Sequence, residues 1–339
     1  MYKISNYLLY LFSRYFFFIF MPIIAIGSLI LFIRIAKLTE VTHITALEMF
    51  QMYCYLLPTI LFYTLPITFF TALVLTLNRL SNDYEAVVLF SLGISPAKML
   101  LNFLPISLLL SITLLVISLV LIPMTKQLAK SFIHYKSINA VVNIEASKFG
   151  QKFGNWMVFL ESRNSNGELK NIVLYNPSNP QKEQFLIAKK GNFFNENGTP
   201  GLILKDGQAY RIDKNKIDQI NYKEMKMYHN IKIAPFSYQN ILQYWLFALQ
   251  NSKRMKDLVI FIAVSLFPLM TLFWAFAFGI LHPRYDKNYG YVAILTVTAT
   301  YYTVGSSLAK STPLGALIFT VLFAFFGIFL FYKRAQTRF

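Results

Sequence analysis

Charge is scarce in this 339-residue sequence. Only 14% of it is Asp, Glu, Lys or Arg, where soluble domains carry about 25%. Acidic residues are the scarcer kind, 15 against 32 basic ones. The single cysteine, Cys54, excludes an internal disulfide, so the redox compartment is not readable from it. Four histidines, at 43, 134, 229 and 282, are too scattered to suggest a metal cluster. There is no Gly-x-x-x-x-Gly-Lys-Ser/Thr, so the chain has no phosphate-cradling loop of its own. His-Glu-x-x-His, Cys-x-x-Cys and Gly-x-Ser-x-Gly are also missing. These absences argue against a catalytic role and predict no cofactor in this chain. Disorder is excluded as well, because Phe alone occurs 33 times.

What the sequence has is length of apolar run. A helix needs about 20 apolar residues to cross ~30 Å of hydrocarbon. Six segments meet that test: 15–33, 49–77, 99–124, 258–281, 289–309 and 313–332. None has an ionised residue in its middle third. The first is too long for a signal peptide and is expected to be retained. Pro58, Pro66, Pro105 and Pro268 fall inside these segments, where neighbours can re-satisfy the freed carbonyls.

Between the third and fourth spans the period drops towards two. Residues 126–257 hold 20 Lys+Arg and 10 Asp+Glu, with no long apolar run. Strand-like runs appear at 156–161, 169–175, 184–190, 201–205, 208–213 and 219–228. Turn signals separate them, among them Asn197-Gly198 and Asp206-Gly207. The fold class expected is an α-helical polytopic membrane protein with an inserted antiparallel β domain. Its parts are helices one to three in 1–125, a β sandwich or roll with connectors in 126–257, and helices four to six in 258–339.

Six spans put both termini on one side, with the loops 78–98 and 282–288. That side carries nine basic residues, and the opposite short loops carry Arg34, Lys37 and Lys310. The positive-inside rule then places the termini in the cytoplasm and the β domain outside. The net charge of +17 is explained by topology and by the β domain, so no nucleic-acid partner is needed.

Two places carry functional signals. In 78–98, Asn82 and Glu85 have the spacing of a helix cap with its reciprocal partner. A helix of about ten residues is expected over 83–92, stopped by Gly93 and followed by Pro96. Its apolar residues Tyr84, Val87, Val88 and Leu89 occupy more than one side. It could lie in the bilayer interface or dock on a partner. Arg34 and Lys37 end the first span three residues apart and point to one side. They could be snorkelling anchors or a site for an anionic headgroup.

Together these features resemble the LptF/LptG permease family of the lipopolysaccharide exporter, over nearly the whole chain. The most specific match is the run from Asn82 to Ser95, which resembles the short cytoplasmic helix on which the family's ATPase docks. Glu85 takes the position of the coupling glutamate, and Tyr84, Val88, Leu89 and Gly93 accompany it. His282-Pro283-Arg284, the run Val158 to Ser162 and the run Ser306 to Lys310 are more similar to LptF than to LptG. Arg34 and Lys37 fall where LptF carries two basic residues near lipid phosphates.

The resemblance implies a non-catalytic permease subunit of the bacterial inner membrane, with a β-jellyroll domain in the periplasm. Implied partners are an LptG-like permease, an LptB ATPase dimer that uses ATP, the membrane-anchored LptC, the periplasmic LptA bridge and lipopolysaccharide itself. A lipoprotein-releasing ABC permease is the alternative, but such permeases place a large domain after the first of four spans. A scaffold protein would need no charge at 34 and 37. A membrane transferase would need converging carboxylates or histidines, which the spans do not supply.

Overall fold

The computed structural model describes residues 2–39, 45–142, 146–147, 151–153, 156–164, 167–177, 182–196, 199–213, 216–228, 240–248, 250–281 and 289–336. The turn signal Asn197-Gly198 and the run His282-Pro283-Arg284 lie outside the described residues. The chain divides into two compact units. One comprises residues 1–33, 51–127 and 239–339; the other comprises 34–50 and 128–238.

The helices are α1 (Tyr2–Thr39), α2 (Ala46–Asn82), α3 (Glu85–Ser91), α4 (Pro96–Val116), α5 (Ile122–Val142), α6 (Ile241–Leu246), α7 (Ser252–Met270), α8 (Leu272–Gly279), α9 (Gly290–Ser311) and α10 (Pro313–Phe331). Five helical runs are long and apolar enough to cross a membrane, and six if α7 and α8 count as one bent span. This is a multi-pass membrane protein. The bend of 40° falls at Thr271, three residues after Pro268. Proline has no N–H to give and crowds the preceding turn, which breaks the helix locally. At the bend the Phe267 carbonyl accepts from both the Thr271 N–H at 2.9 Å and the Thr271 hydroxyl at 2.7 Å.

The core of the first unit is aromatic. Phe69, Phe70, Phe103, Phe267, Phe276 and Tyr301 are all buried within it. Burying one such side chain contributes roughly 1.5–3 kcal/mol in water. In lipid the gain comes instead from close packing and from hydrogen bonds. Two of these bonds tie helices together: the Tyr301 hydroxyl donates to the Ala263 carbonyl at 2.7 Å, and Trp274 Nε1 donates to the Phe323 carbonyl at 3.0 Å.

The third span is interrupted by a π-helical turn, Ile117–Leu121, between α4 and α5. A π-turn carries an extra residue and shifts the hydrogen-bond ladder. The shift brings the Leu119 carbonyl to Trp245 of α6, whose Nε1 donates to it at 2.8 Å. The adjacent Ser118 hydroxyl lies 3.1 Å from that of Ser265 on α7, and both residues are fully buried.

In the second unit, six strands form one antiparallel sheet in sequence order: β1 (Gln151–Phe153), β2 (Trp156–Arg163), β3 (Leu169–Asn176), β4 (Lys182–Glu196), β5 (Thr199–Asp213) and β6 (Lys216–Tyr228). The expected antiparallel domain is present. Its described strands succeed one another as a meander, each paired with its neighbours in sequence. One face buries Val158, Leu160, Leu169, Ile172, Leu174, Leu186, Leu202 and Leu204.

Asp206-Gly207, expected to be a turn, lies inside the single long strand β5. It marks a slip in phase. Glu161, Asn171, Lys189, Asp206 and Lys223 lie in one row across β2 to β6, between ladder pairs on either side. Asn171 and Asp206 adopt positive φ, 49° and 54°. Inward residues then stand three apart instead of two, as in Leu169 and Ile172, or Leu204 and Gly207. At this row two consecutive residues project outward in each of four strands: Lys170 with Asn171, Lys189 with Lys190, Lys205 with Asp206, Lys223 with Glu224.

Gly207 is required beside the slip. A Cβ there would stand 2.3 Å from the Ile187 carbonyl oxygen and 2.4 Å from the Tyr222 hydroxyl oxygen. That hydroxyl donates to the same carbonyl at 3.1 Å. Burial pushes it above its ordinary pKa and keeps it a donor.

Candidate functional site

The short helix α3 is built from both of its ends. At its start, α2 runs on through Asn82, so Asn82 is the last residue of one helix and not the cap of the next. This corrects the expected reciprocal cap between Asn82 and Glu85. The reason is tertiary. Ser81 is fully buried; its Oγ accepts from the Leu281 N–H at 3.0 Å and lies 3.4 Å from the Gly279 carbonyl as donor. That anchorage carries the helix one residue past it. An ion pair from Arg79 to Asp83, 3.2 Å long, closes the last turn.

Tyr84 then caps α3 in the left-handed region, at φ 60°, with no side-chain cap bond. The helix is 7 residues long, shorter than the ten expected. Its end follows the expectation closely. Gly93 takes φ +78°, its N–H donates to the Phe90 carbonyl at 3.0 Å, and the Ile94 N–H donates to the Leu89 carbonyl at 3.1 Å. This pair of bonds is the Schellman arrangement, and glycine adopts the left-handed turn at least cost. Ser95 follows at once as the cap of α4, accepting from the Lys98 N–H at 3.3 Å, with Pro96 in the first turn. Lys98 Nζ reaches back to the Gly93 carbonyl at 3.2 Å.

The sides of α3 divide sharply. Ala86 is 2% exposed and Leu89 packs against the aromatic core. Tyr84, Val88 and Leu92 are 57%, 56% and 67% exposed, and Val87 is exposed beside them. An exposed apolar strip of this kind marks a contact surface for a partner or a membrane. Leu89, grouped by the sequence with the docking residues, is half-buried and packs against the aromatic core.

Glu85 opens the helix, where the helix dipole favours a negative charge. Its Oε2 accepts a hydrogen bond of 2.7 Å from the hydroxyl of Tyr7, near the start of α1. Sequence reasoning missed Tyr7, since a tyrosine 78 positions away gives no local signal.

Arg34 and Lys37 fall in the other unit, on the last turns of α1, and form a separate pair. Both side chains are exposed, while Ile35 between them is fully buried. Neither makes an ion pair with a described residue. Two cations on one helical face, with no ion-pair partner among the described residues, suit an anionic oxygen ligand. In the same unit, the Glu48 carboxylate at the start of α2 pairs with Lys136 Nζ at 2.7 Å and accepts from the Thr45 N–H at 2.9 Å.

A family model described as "Lipopolysaccharide export system permease LptF/LptG" matches residues 6–333. The chain is also similar to the uncharacterized protein RP871 of Rickettsia prowazekii (strain Madrid E), with 22% identity over 201 residues. That alignment covers 58% of this chain and 56% of the relative, so it spans little more than half of the relative's length.

Proposed function

From the match over residues 6–333 the chain belongs to the LptF/LptG family of lipopolysaccharide export system permeases, and on that premise we propose that it forms one membrane half of an ATP-driven exporter of that lipid. The family is one of permeases, not of enzymes. Hydrolysis of ATP is assigned to a separate LptB-like ATPase dimer, and this chain needs no cofactor. The second half is an LptG-like permease, this chain taking the LptF part. The termini and α3 face the cytoplasm of a bacterial inner membrane, and the β domain faces the periplasm.

The observation that carries this reading is the exposed strip Tyr84, Val87, Val88 and Leu92, on a helix held at both ends. Apolar side chains fixed in place by a Schellman turn, a serine cap and a buried Ala86 keep their order when a partner pushes on them. The ATPase binds there, with Glu85 as the charged contact at the edge of the strip. Closure on ATP moves α3, and the cavity between the two permeases collapses.

Arg34 and Lys37 hold the phosphates of the lipid by charge-assisted hydrogen bonds. The lipid then passes to the β domain. The sheet ends on a three-residue strand, β1, and on the 13-residue strand β6, most of whose side chains are exposed. A strand edge of that length supports pairing with a strand of another chain. We assign the LptC and LptA domains to that role, continuing the sheet as a bridge.

The test is co-purification with the ATPase from cells expressing a tagged chain. Glu85→Arg is expected to abolish recovery of the ATPase and lipid export, while Glu168→Gln, in the β domain, keeps recovery of the ATPase. Full recovery and export with Glu85→Arg would falsify the docking assignment.

A further inference from the structure

A second charged surface lies in the β domain, at the row where the sheet slips in phase. In a regular strand only alternate residues face outward. Here two consecutive residues do so in each of four adjacent strands, which doubles the density of outward side chains. Five of them are lysines: Lys170, Lys189, Lys190, Lys205 and Lys223. The acids among them are Asp206 and Glu224.

The register sharpens the point. Lys170 stands directly opposite Lys190, and Lys190 directly opposite Lys205. Neighbouring strands are about 4.8 Å apart, and like charges directly opposite are destabilising. Among the described residues one acid answers this repulsion at contact distance: Glu168 lies 3.5 Å from Lys190 Nζ, with both side chains substantially exposed. Lys205 faces Glu224 across the next ladder. Beside the ridge, a cleft of about 470 Å³ is lined by Asn171, Gln208 and Asn221 together with Lys189, Asp206 and the apolar Ile187. The Asn171 amide donates to Glu161, and the amide oxygens of Gln208 and Asn221 accept from Tyr210 and Gln219. Amide groups both donate and accept, which suits hydroxyls.

We propose that this ridge and cleft form a binding site for a phosphorylated saccharide, with phosphate oxygens on Lys170, Lys190 and Lys205 and sugar hydroxyls on the amides. A phosphate placed between cross-strand lysines turns their mutual repulsion into shared attraction. The site lies on the face opposite the buried leucines, so it takes the polar part of a lipid. The proposal rests on the reading of the chain as a permease for a phosphorylated glycolipid.

The experiment is lysine footprinting on the full-length protein in detergent. An amine-reactive reagent is applied and modification is read by peptide mass spectrometry, with Lys3 and Lys253 as references. Phosphorylated lipopolysaccharide is expected to slow modification of Lys170, Lys190 and Lys205 by about threefold or more, as charge-assisted contacts bury the amines. The same lipid treated with phosphatase should leave them at the reference rate. Sodium pyrophosphate should protect the same three lysines more weakly. In the variant K170Q/K190Q/K205Q, protection of the remaining Lys189 and Lys223 should disappear. Equal protection by both lipid forms, or by neither, overturns the proposal. So does protection by phosphatidylglycerol vesicles to the same extent, which would make the ridge a membrane-facing surface. A failure of the permease reading shows elsewhere, in retained ATPase binding by Glu85→Arg.

Discussion

The Tyr7 hydroxyl, near the start of the first span, holds the Glu85 carboxylate at the head of α3 across 2.7 Å. Removing only that hydroxyl tests whether the link matters. Tyr7→Phe keeps the ring and its packing, and costs about 1 kcal/mol of local stability. Recovery of the ATPase should be unchanged, while the amount of lipid released per ATP hydrolysed falls several-fold. Unchanged release per ATP in Tyr7→Phe would assign the bond a purely structural role.

The exposed strip separates docking from folding. Val88→Asp or Leu92→Asp adds charge at a solvent-facing position, where effects on folding are usually within about 0.5 kcal/mol. Thermal stability of the purified permease should hold and ATPase recovery should collapse. Ala86→Asp, on the buried side, is expected to lower stability itself. If Val88→Asp melted the protein as strongly as Ala86→Asp, the strip would be part of the core.

Gly93 and Gly207 should respond to alanine for different reasons. At Gly93 nothing lies within 4 Å of a new Cβ, so the cost is backbone strain at φ +78° alone, about 1 kcal/mol. Gly93→Asn should recover part of it, since asparagine tolerates the left-handed region. At Gly207 the obstacle is the Ile187 backbone oxygen, which cannot move aside cheaply. Gly207→Ala should cost about 1–3 kcal/mol, and asparagine should make it worse. Chemical denaturation of the two pairs measures the contrast.

Arg34 and Lys37 can be read by photo-crosslinking. A photoreactive residue at position 36 should capture lipopolysaccharide in an active complex. Arg34→Gln with Lys37→Gln should reduce capture by about tenfold, the equivalent of ~1.4 kcal/mol. Capture undiminished by the double change would leave the pair as interfacial anchors.

Much of this architecture is legible in sequence because a membrane enforces long apolar runs and a half-buried sheet enforces alternation. Gly93 and Pro96 are readable for the same kind of reason, as each has a backbone preference that few other residues share. The errors are equally physical. Asn82 carries a capping signal, but the buried bonds of Ser81 extend α2 past it. Asp206-Gly207 carries a turn signal, but left-handed residues serve a phase slip inside a strand just as well. Tyr7 and the ridge lysines emerge only when distant segments are set side by side. Even so, the doubled Lys189-Lys190 beside Asp206-Gly207 records, in one dimension, the doubled outward residues of the slip.

The π-turn in the third span has a consequence for how the protein is made. Its Leu119 carbonyl is satisfied by Trp245, which stands 126 residues later in the chain. Synthesis runs from the N-terminus, so the ribosome has delivered the third span and every β strand before that donor exists. The third span therefore waits, with its turn incomplete, until the whole β domain has been produced and the chain has returned. Trp245 is in this sense a late fastener: the bond that completes the third span joins two segments separated in synthesis by the whole β domain.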